Sequence, residues 1–135
     1  MNDRFNFRYA RREKVYEVLD IDFYTGYIKV FRPNKSERRC TFQYDPDWLL
    51  QCTGLKDKNG TLIYENDIVK GVFEDRTLTV VRWSEKDLTW CADFSQVYGK
   101  PEYSYYVALA DYDSKNLEVI GNVYENPELL EGKND

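Results

Sequence analysis

Val15-Tyr16-Glu17-Val18-Leu19-Asp20-Ile21-Asp22-Phe23, then Tyr24-Thr25-Gly26-Tyr27, then Ile28-Lys29-Val30 is the stretch that decides the fold class. Leu19, Ile21 and Phe23 alternate with Asp20 and Asp22, the two-residue period of a strand with one face on a core. Gly26 supplies the positive φ of a tight reversal, and Ile28 and Val30 flank Lys29 on the way back. Residues 15–32 therefore read as a β-hairpin.

The same grammar continues outward. Arg32-Pro33-Asn34-Lys35-Ser36 is a turn, and Cys40-Thr41-Phe42-Gln43-Tyr44 alternates again. Asp45-Pro46-Asp47-Trp48-Leu49-Leu50 reads as a short helix, with Asp45 as cap and Pro46 at its first position. Asn59-Gly60 centres a further reversal between Leu55 and Tyr64, and Glu65-Asn66-Asp67 turns the chain into Ile68–Phe73. Leu78–Trp83 and Thr89–Phe94 form a hairpin about Ser84–Asp87, followed by strands at Tyr103–Leu109 and Leu117–Val123 and a helical turn at Asn126–Leu130. The expected fold is mainly β: an N-terminal hairpin and oligomerisation subdomain (1–52), an SH3-like small barrel (53–130) closed by the Leu117–Val123 strand, and an acidic tail (131–135).

Composition agrees with strands. Val, Ile, Thr and aromatic residues make up about a third of the 135 residues, with twelve tyrosines. The chain contains no histidine, so no Ser–His–Asp triad, Cys–His pair or H-E-x-x-H zinc site exists within it. Cys40, Cys52 and Cys91 form no C-x-x-C and are odd in number, which fits free thiols in a reducing cytosol. There is no apolar run of about 18 residues for a membrane span and no signal-peptide pattern near Met1, so a cytoplasmic protein is expected.

Candidate chemistry is sparse. Asp20/Asp22, Asp45/Asp47 and Asp111/Asp113 are Asp-x-Asp pairs of the sort that hold divalent cations, yet each also suits a turn or a polar strand face. No catalytic, metal or cofactor residues are assigned, and no cofactor is expected. The net charge of −5 is uneven: residues 1–39 hold ten basic and six acidic side chains, the remainder nine and eighteen. Arg8, Arg11, Arg12 and Lys14, interleaved with Phe5, Phe7 and Tyr9, form the best basic patch. Tyr103, Tyr105, Tyr106 and Tyr112 form an aromatic cluster suited to protein contact. These eight residues are the candidate interaction surface. The expected function is a non-enzymatic protein-interaction or self-assembly module, with homo-oligomers or another protein as partner. The alternative is an accessory nucleic-acid binder using the basic segment.

The segment from Thr53 to Gly60, the run Ile63-Tyr64-Glu65-Asn66-Asp67-Ile68-Val69, and the closing Leu117-Glu118-Val119-Ile120-Gly121-Asn122-Val123-Tyr124-Glu125-Asn126-Pro127-Glu128-Leu129-Leu130 resemble the YopX family of phage and prophage proteins. Arg8 and the strand after it are similar to the family's opening. The resemblance implies a protein of the bacterial host cytoplasm that self-associates, and supplies no activity and no catalytic residues. Asn66 stands where the family usually has glycine. Asparagine visits the left-handed region readily, so the turn there is expected to persist. The motifs fall on turns and at the starts of strands, which implies that they specify fold.

Overall fold

The computed structural model describes residues 6–33, 39–72, 78–93, 106–109 and 116–131. Within them, strands build two antiparallel sheets and no α-helix occurs. The first sheet comprises β1 (Phe7–Arg11), β2 (Lys14–Asp22), β3 (Tyr27–Phe31), β4 (Arg39–Gln43), β5 (Leu49–Lys56) and β6 (Leu62–Tyr64), in the order β4-β3-β2-β1-β5-β6. The second comprises β7 (Asp67–Lys70), β8 (Leu78–Ser84), β9 (Thr89–Asp93), β10 (Tyr106–Ala108) and β11 (Glu118–Asn122), in the order β10-β9-β8-β7-β11.

The hairpin of residues 15–32 is present as β2 and β3, but the alternation read from it is broken. The ladder runs Val18↔Val30 and then Asp20↔Lys29, so Leu19 is an extra residue on β2. A bulge of this kind reverses which side chains face the core. Tyr16 and Val18 point inward before it and Ile21 after it, against Ile28 and Val30. Leu19 is left 46% exposed, and Phe23 at the tip is 76% exposed. Two of the three apolar residues that announced the strand thus lie outside the core.

The segment before this hairpin departs most from expectation. Residues 7–11 form β1, which pairs with β2 on one side and β5 on the other. Tyr9 is fully buried, and its hydroxyl donates to the Gln43 carbonyl at 3.3 Å and accepts from the Asp45 N–H at 3.0 Å. The basic segment is therefore built into the sheet. After β4 the expected short helix shrinks to one 3-10 turn, Pro46–Trp48, capped by Asp45 through the Asp47 N–H. Leu49 and Leu50 already belong to β5, which runs on through Gly54 to Lys56. Burial of Leu50 and Cys52 on alternate positions outweighs the helix-start signal.

In the second sheet the last strand, β11, returns beside the first, β7, where the sequence predicts an SH3-like barrel closed by Leu117–Val123. Among the described residues its outer strands β10 and β11 do not pair, so the sheet stays open and no closed barrel forms. Each face has its own cover. Val69, Val81, Ala92 and Leu117 pack with Ile63 and Leu55 of the first sheet, while Ile68, Leu78 and Val80 are covered by Leu129 and Leu130 of the 3-10 turn Pro127–Leu130. A layered core buries both faces without closure.

Leu88, at the β8–β9 reversal, is 70% exposed and holds φ 54, a left-handed conformation that costs a branched side chain about 1 kcal/mol. Replacing it with glycine removes that cost and little buried surface. Leu88→Gly is expected to raise unfolding free energy by about 0.5–1 kcal/mol in urea titrations, against the usual loss from an added glycine.

Candidate functional site

Polar side chains bind the two sheets together at three places, and these use the family-like motifs. At the first, the Asp57 carboxylate accepts the Asn59 and Thr61 N–H groups through Oδ1, each at 2.9 Å, and the Val119 N–H through Oδ2 at 2.9 Å. Lys58 N–H also donates to the Leu117 carbonyl. The Asn59-Gly60 turn is thus moored to β11. Burial raises the Asp57 pKa, but the three backbone donors outweigh it and hold the carboxyl below its ordinary value.

The second centres on Asn66, which takes φ 68. Its backbone N–H donates to the Val81 carbonyl and its own carbonyl accepts the Val123 N–H. The side chain donates to the Tyr124 hydroxyl at 2.8 Å and accepts from Arg82. Asparagine in the glycine position keeps the turn, as expected, and adds two contacts that glycine lacks. In the segment after β11, Asn122 accepts the Tyr124 and Glu125 N–H groups, and the Asn126 side chain accepts the Asn122 N–H. A Cβ on Gly121 would lie 2.6 Å from the Asn126 Oδ1, so the packing of that motif requires glycine.

The third place is a cleft of about 210 Å³ between the sheets, lined by Arg8, Val15, Glu17, Arg32, Asn122 and Glu125 among others. Arg8 Nε donates to Glu17 at 2.7 Å, and Arg32 donates to Glu125 at 2.8 Å. The same Glu125 oxygen accepts the Val15 N–H, and its other oxygen accepts from Asn122. Both carboxylates are held by neighbours, Glu125 through both oxygens and Glu17 through one. The Arg8 guanidinium also lies over the Tyr64 ring, 3.9 Å from its centroid.

Behind Tyr64 lies Asp67, only 3% exposed, which accepts the Tyr64 N–H at 2.8 Å. Desolvation raises its pKa to about 7 against the pull of that N–H and of Arg8. Burial also pushes the Tyr64 hydroxyl up to about 12 and raises the Cys91 thiol. A raised thiol is a poor nucleophile at neutral pH. A second groove of about 600 Å³ is lined by Phe7, Leu19, Phe31 and Leu62 together with Asn6, Glu17, Asp20 and Tyr64. Among the described residues no group of Cys, Asp or Glu side chains could hold a metal ion.

The four basic candidates are not brought together. Arg8 lies over Tyr64 and pairs with Glu17, whereas Arg11 stacks 5.0 Å over Phe42 on the opposite face of β1. Arg12 and Lys14 are exposed, Arg12 in the two-residue turn to β2. Tyr103, Tyr105 and Tyr112 lie outside the described residues, as does the Tyr106 side chain on β10. Of the aspartate pairs, Asp22 accepts the Tyr24 and Thr25 N–H groups and Asp45 that of Asp47, while Asp111/Asp113 also lies outside the described residues. Sequence reasoning missed the Glu17, Asp67 and Glu125 roles, although Asp67 and Glu125 sit inside the two motifs it singled out.

Asp67 gives a test with a definite sign. Its folded pKa lies above the ordinary aspartate value of 3.8, so the folded state binds the extra proton between about 4 and 7 and loses stability as pH rises through that window. Asp67→Asn keeps an acceptor for the Tyr64 N–H without the charge. Its stability advantage over the wild type should grow from about pH 4 to about pH 7 and then level off, by a few kcal/mol at most, in chemical denaturation at stepped pH. A difference independent of pH would contradict the assignment.

Solved structures share this fold. The crystal structure of protein EF1440 from Enterococcus faecalis superposes with a TM-score of 0.52 at 20% identity, covering 93% of this chain and 97% of that one. The crystal structure of protein yopX from Bacillus subtilis gives a TM-score of 0.51 at 21% identity, covering 97% and 100%. At such identity the likeness concerns the fold. No match was found among curated proteins. The model of the YopX protein family matches residues 8–131, a span that runs from Arg8 of the cleft between the sheets to Glu131, which caps the last 3-10 turn, and the chain belongs to that family.

Proposed function

We propose that the protein is a non-enzymatic interaction and self-assembly module acting in the cytoplasm of a bacterial host as part of the phage or prophage programme. The observation that carries this reading is the division between polar and apolar side chains. The ionisable groups in the clefts are consumed by structural bonds, as with Glu17, Asp57 and Glu125, whereas large apolar groups project into solvent. Phe23, Tyr24, Tyr27, Trp48, Trp83 and Leu88 are all exposed, and Trp83 and Trp90 form an edge-to-face pair on the β8–β9 hairpin. Aromatic side chains at the surface are the residues most enriched in protein interfaces. No helix among the described residues is long and apolar enough to cross a membrane.

The nucleic-acid alternative draws on fewer groups than the sequence suggested. With Arg8 paired to Glu17 and Arg11 laid on Phe42, Arg12 and Lys14 remain to meet phosphates. Neutralising two phosphates gives a log–log salt slope of only about −2 on duplex DNA.

Multi-angle light scattering of the purified chain at low and high salt tests the main reading. Self-association at micromolar concentration, or a stoichiometric complex with a phage or host protein, is the expected result. A chain that stays monomeric and forms no such complex would sink it. Fluorescence anisotropy with duplex and single-stranded DNA over a salt series tests the alternative, and a slope steeper than about −4 would restore it.

A further inference from the structure

The two ends of β2 carry surfaces of opposite character. At its start, the β1–β2 turn presents Arg12 and Lys14, both exposed and without an ion pair among the described residues. Arg12 and Glu13 form a two-residue reversal with φ 50 and φ 64. Asn-Gly is the usual occupant of such a turn, and two long side chains there cost of order 1 kcal/mol each. A turn needed only to reverse the chain would be more stable without them.

At the other end, about 25 Å along the strand, the β2–β3 tip presents Phe23 at 76%, Tyr24 at 98% and Tyr27 at 52% exposure. Asp20 and Asp22 flank these rings. The backbone N–H of Thr25, with that of Tyr24, holds the Asp22 carboxyl below its ordinary range, so it is anionic at neutral pH. Tyr44 braces this tip, its N–H donating to the Gly26 carbonyl at 2.8 Å and its ring meeting Phe23 edge-on.

We infer that the Arg12–Lys14 turn of one copy docks on the Phe23–Tyr24 tip of a second copy, in a head-to-tail contact. This rests on the self-assembly reading above and specifies its surfaces. Cations meeting aromatic faces beside carboxylates is chemistry this chain already uses within itself, where Arg8 lies over Tyr64 and Arg11 over Phe42. A second copy supplies both halves of the complementarity without any other partner. Because turn and tip are different surfaces, each docked copy leaves one of each free, and the assembly grows into a ring or a filament.

The test uses sedimentation velocity on three forms of the full chain, with thermal melts to verify folding. The wild type should assemble at low salt and weaken as salt screens the charges. Arg12→Glu/Lys14→Glu and Phe23→Ser/Tyr24→Ser should each sediment as a monomer, since each lacks one surface. Mixed one to one, they should give a dimer and nothing larger, because each contributes its intact surface once. Variants that assemble like the wild type, or a mixture that stays monomeric, overturn the head-to-tail contact while leaving self-assembly through other surfaces standing. A monomeric wild type overturns the contact and the self-assembly reading together, with binding to a different protein left to the complex-formation test above.

Discussion

Asn66 holds the structure together because it is where three chain segments exchange their backbone bonds. Its left-handed φ turns β6 into β7, aiming its N–H at Val81 of β8 and its carbonyl at Val123 after β11. Its side chain reaches Tyr124 and Arg82, and Arg82 in turn contacts Asp93 on β9 at 3.5 Å. One residue thus links the turn, the middle strand of the second sheet and the closing segment. A change that moved its φ would strand several buried donors and acceptors at once, each worth about 1–3 kcal/mol when left unpaired.

From this node the closing segment does the rest. Tyr124 packs edge-to-face on Trp48 at 6.2 Å, and Glu125 accepts both Arg32 and the Val15 N–H. The segment after β11, in the second sheet, therefore touches β2, the Arg32 exit from β3 and the Pro46–Trp48 turn of the first. Contacts of such sequence separation cost loop-closure entropy, and the Asp57 bond to β11 shortens the loop that the closing segment must close.

Much of the sheet pattern was legible. The Asn59-Gly60 turn, the Leu78–Phe94 hairpin and the Leu117–Val123 strand are local statements, each specified by turn chemistry or a two-residue period. What escaped was non-local. Nothing in Phe7-Arg8-Tyr9-Ala10-Arg11 announces a central strand, because Arg8 and Arg11 read as charge, whereas burial of Tyr9 and Ala10 between two neighbours decides the matter. Leu19 misled for a related reason: a bulge is invisible to a period count, and a single inserted residue turns a core side chain outward. At the candidate site, the family-like motifs marked Asp57, Asn66 and Asp67 but could not name their partners on other strands: the Val119 N–H for Asp57, Arg82 for Asn66 and the Tyr64 N–H for Asp67.

The buried Asp67 shows how this economy of polar groups bears on function. An ionised carboxylate at 3% exposure is costly, and its pKa of about 7 means the fold bears that cost near neutral pH. One of its oxygens accepts the Tyr64 N–H at the entrance to the β6–β7 turn, one residue from Asn66, and the cation acting on it is Arg8, itself bonded to Glu17. Its geometry serves the turn that positions Asn66. Polar groups spent in this way leave aromatic side chains at the hairpin tips as the surface with unsatisfied contact capacity, which is the physical basis for reading the protein through what it touches.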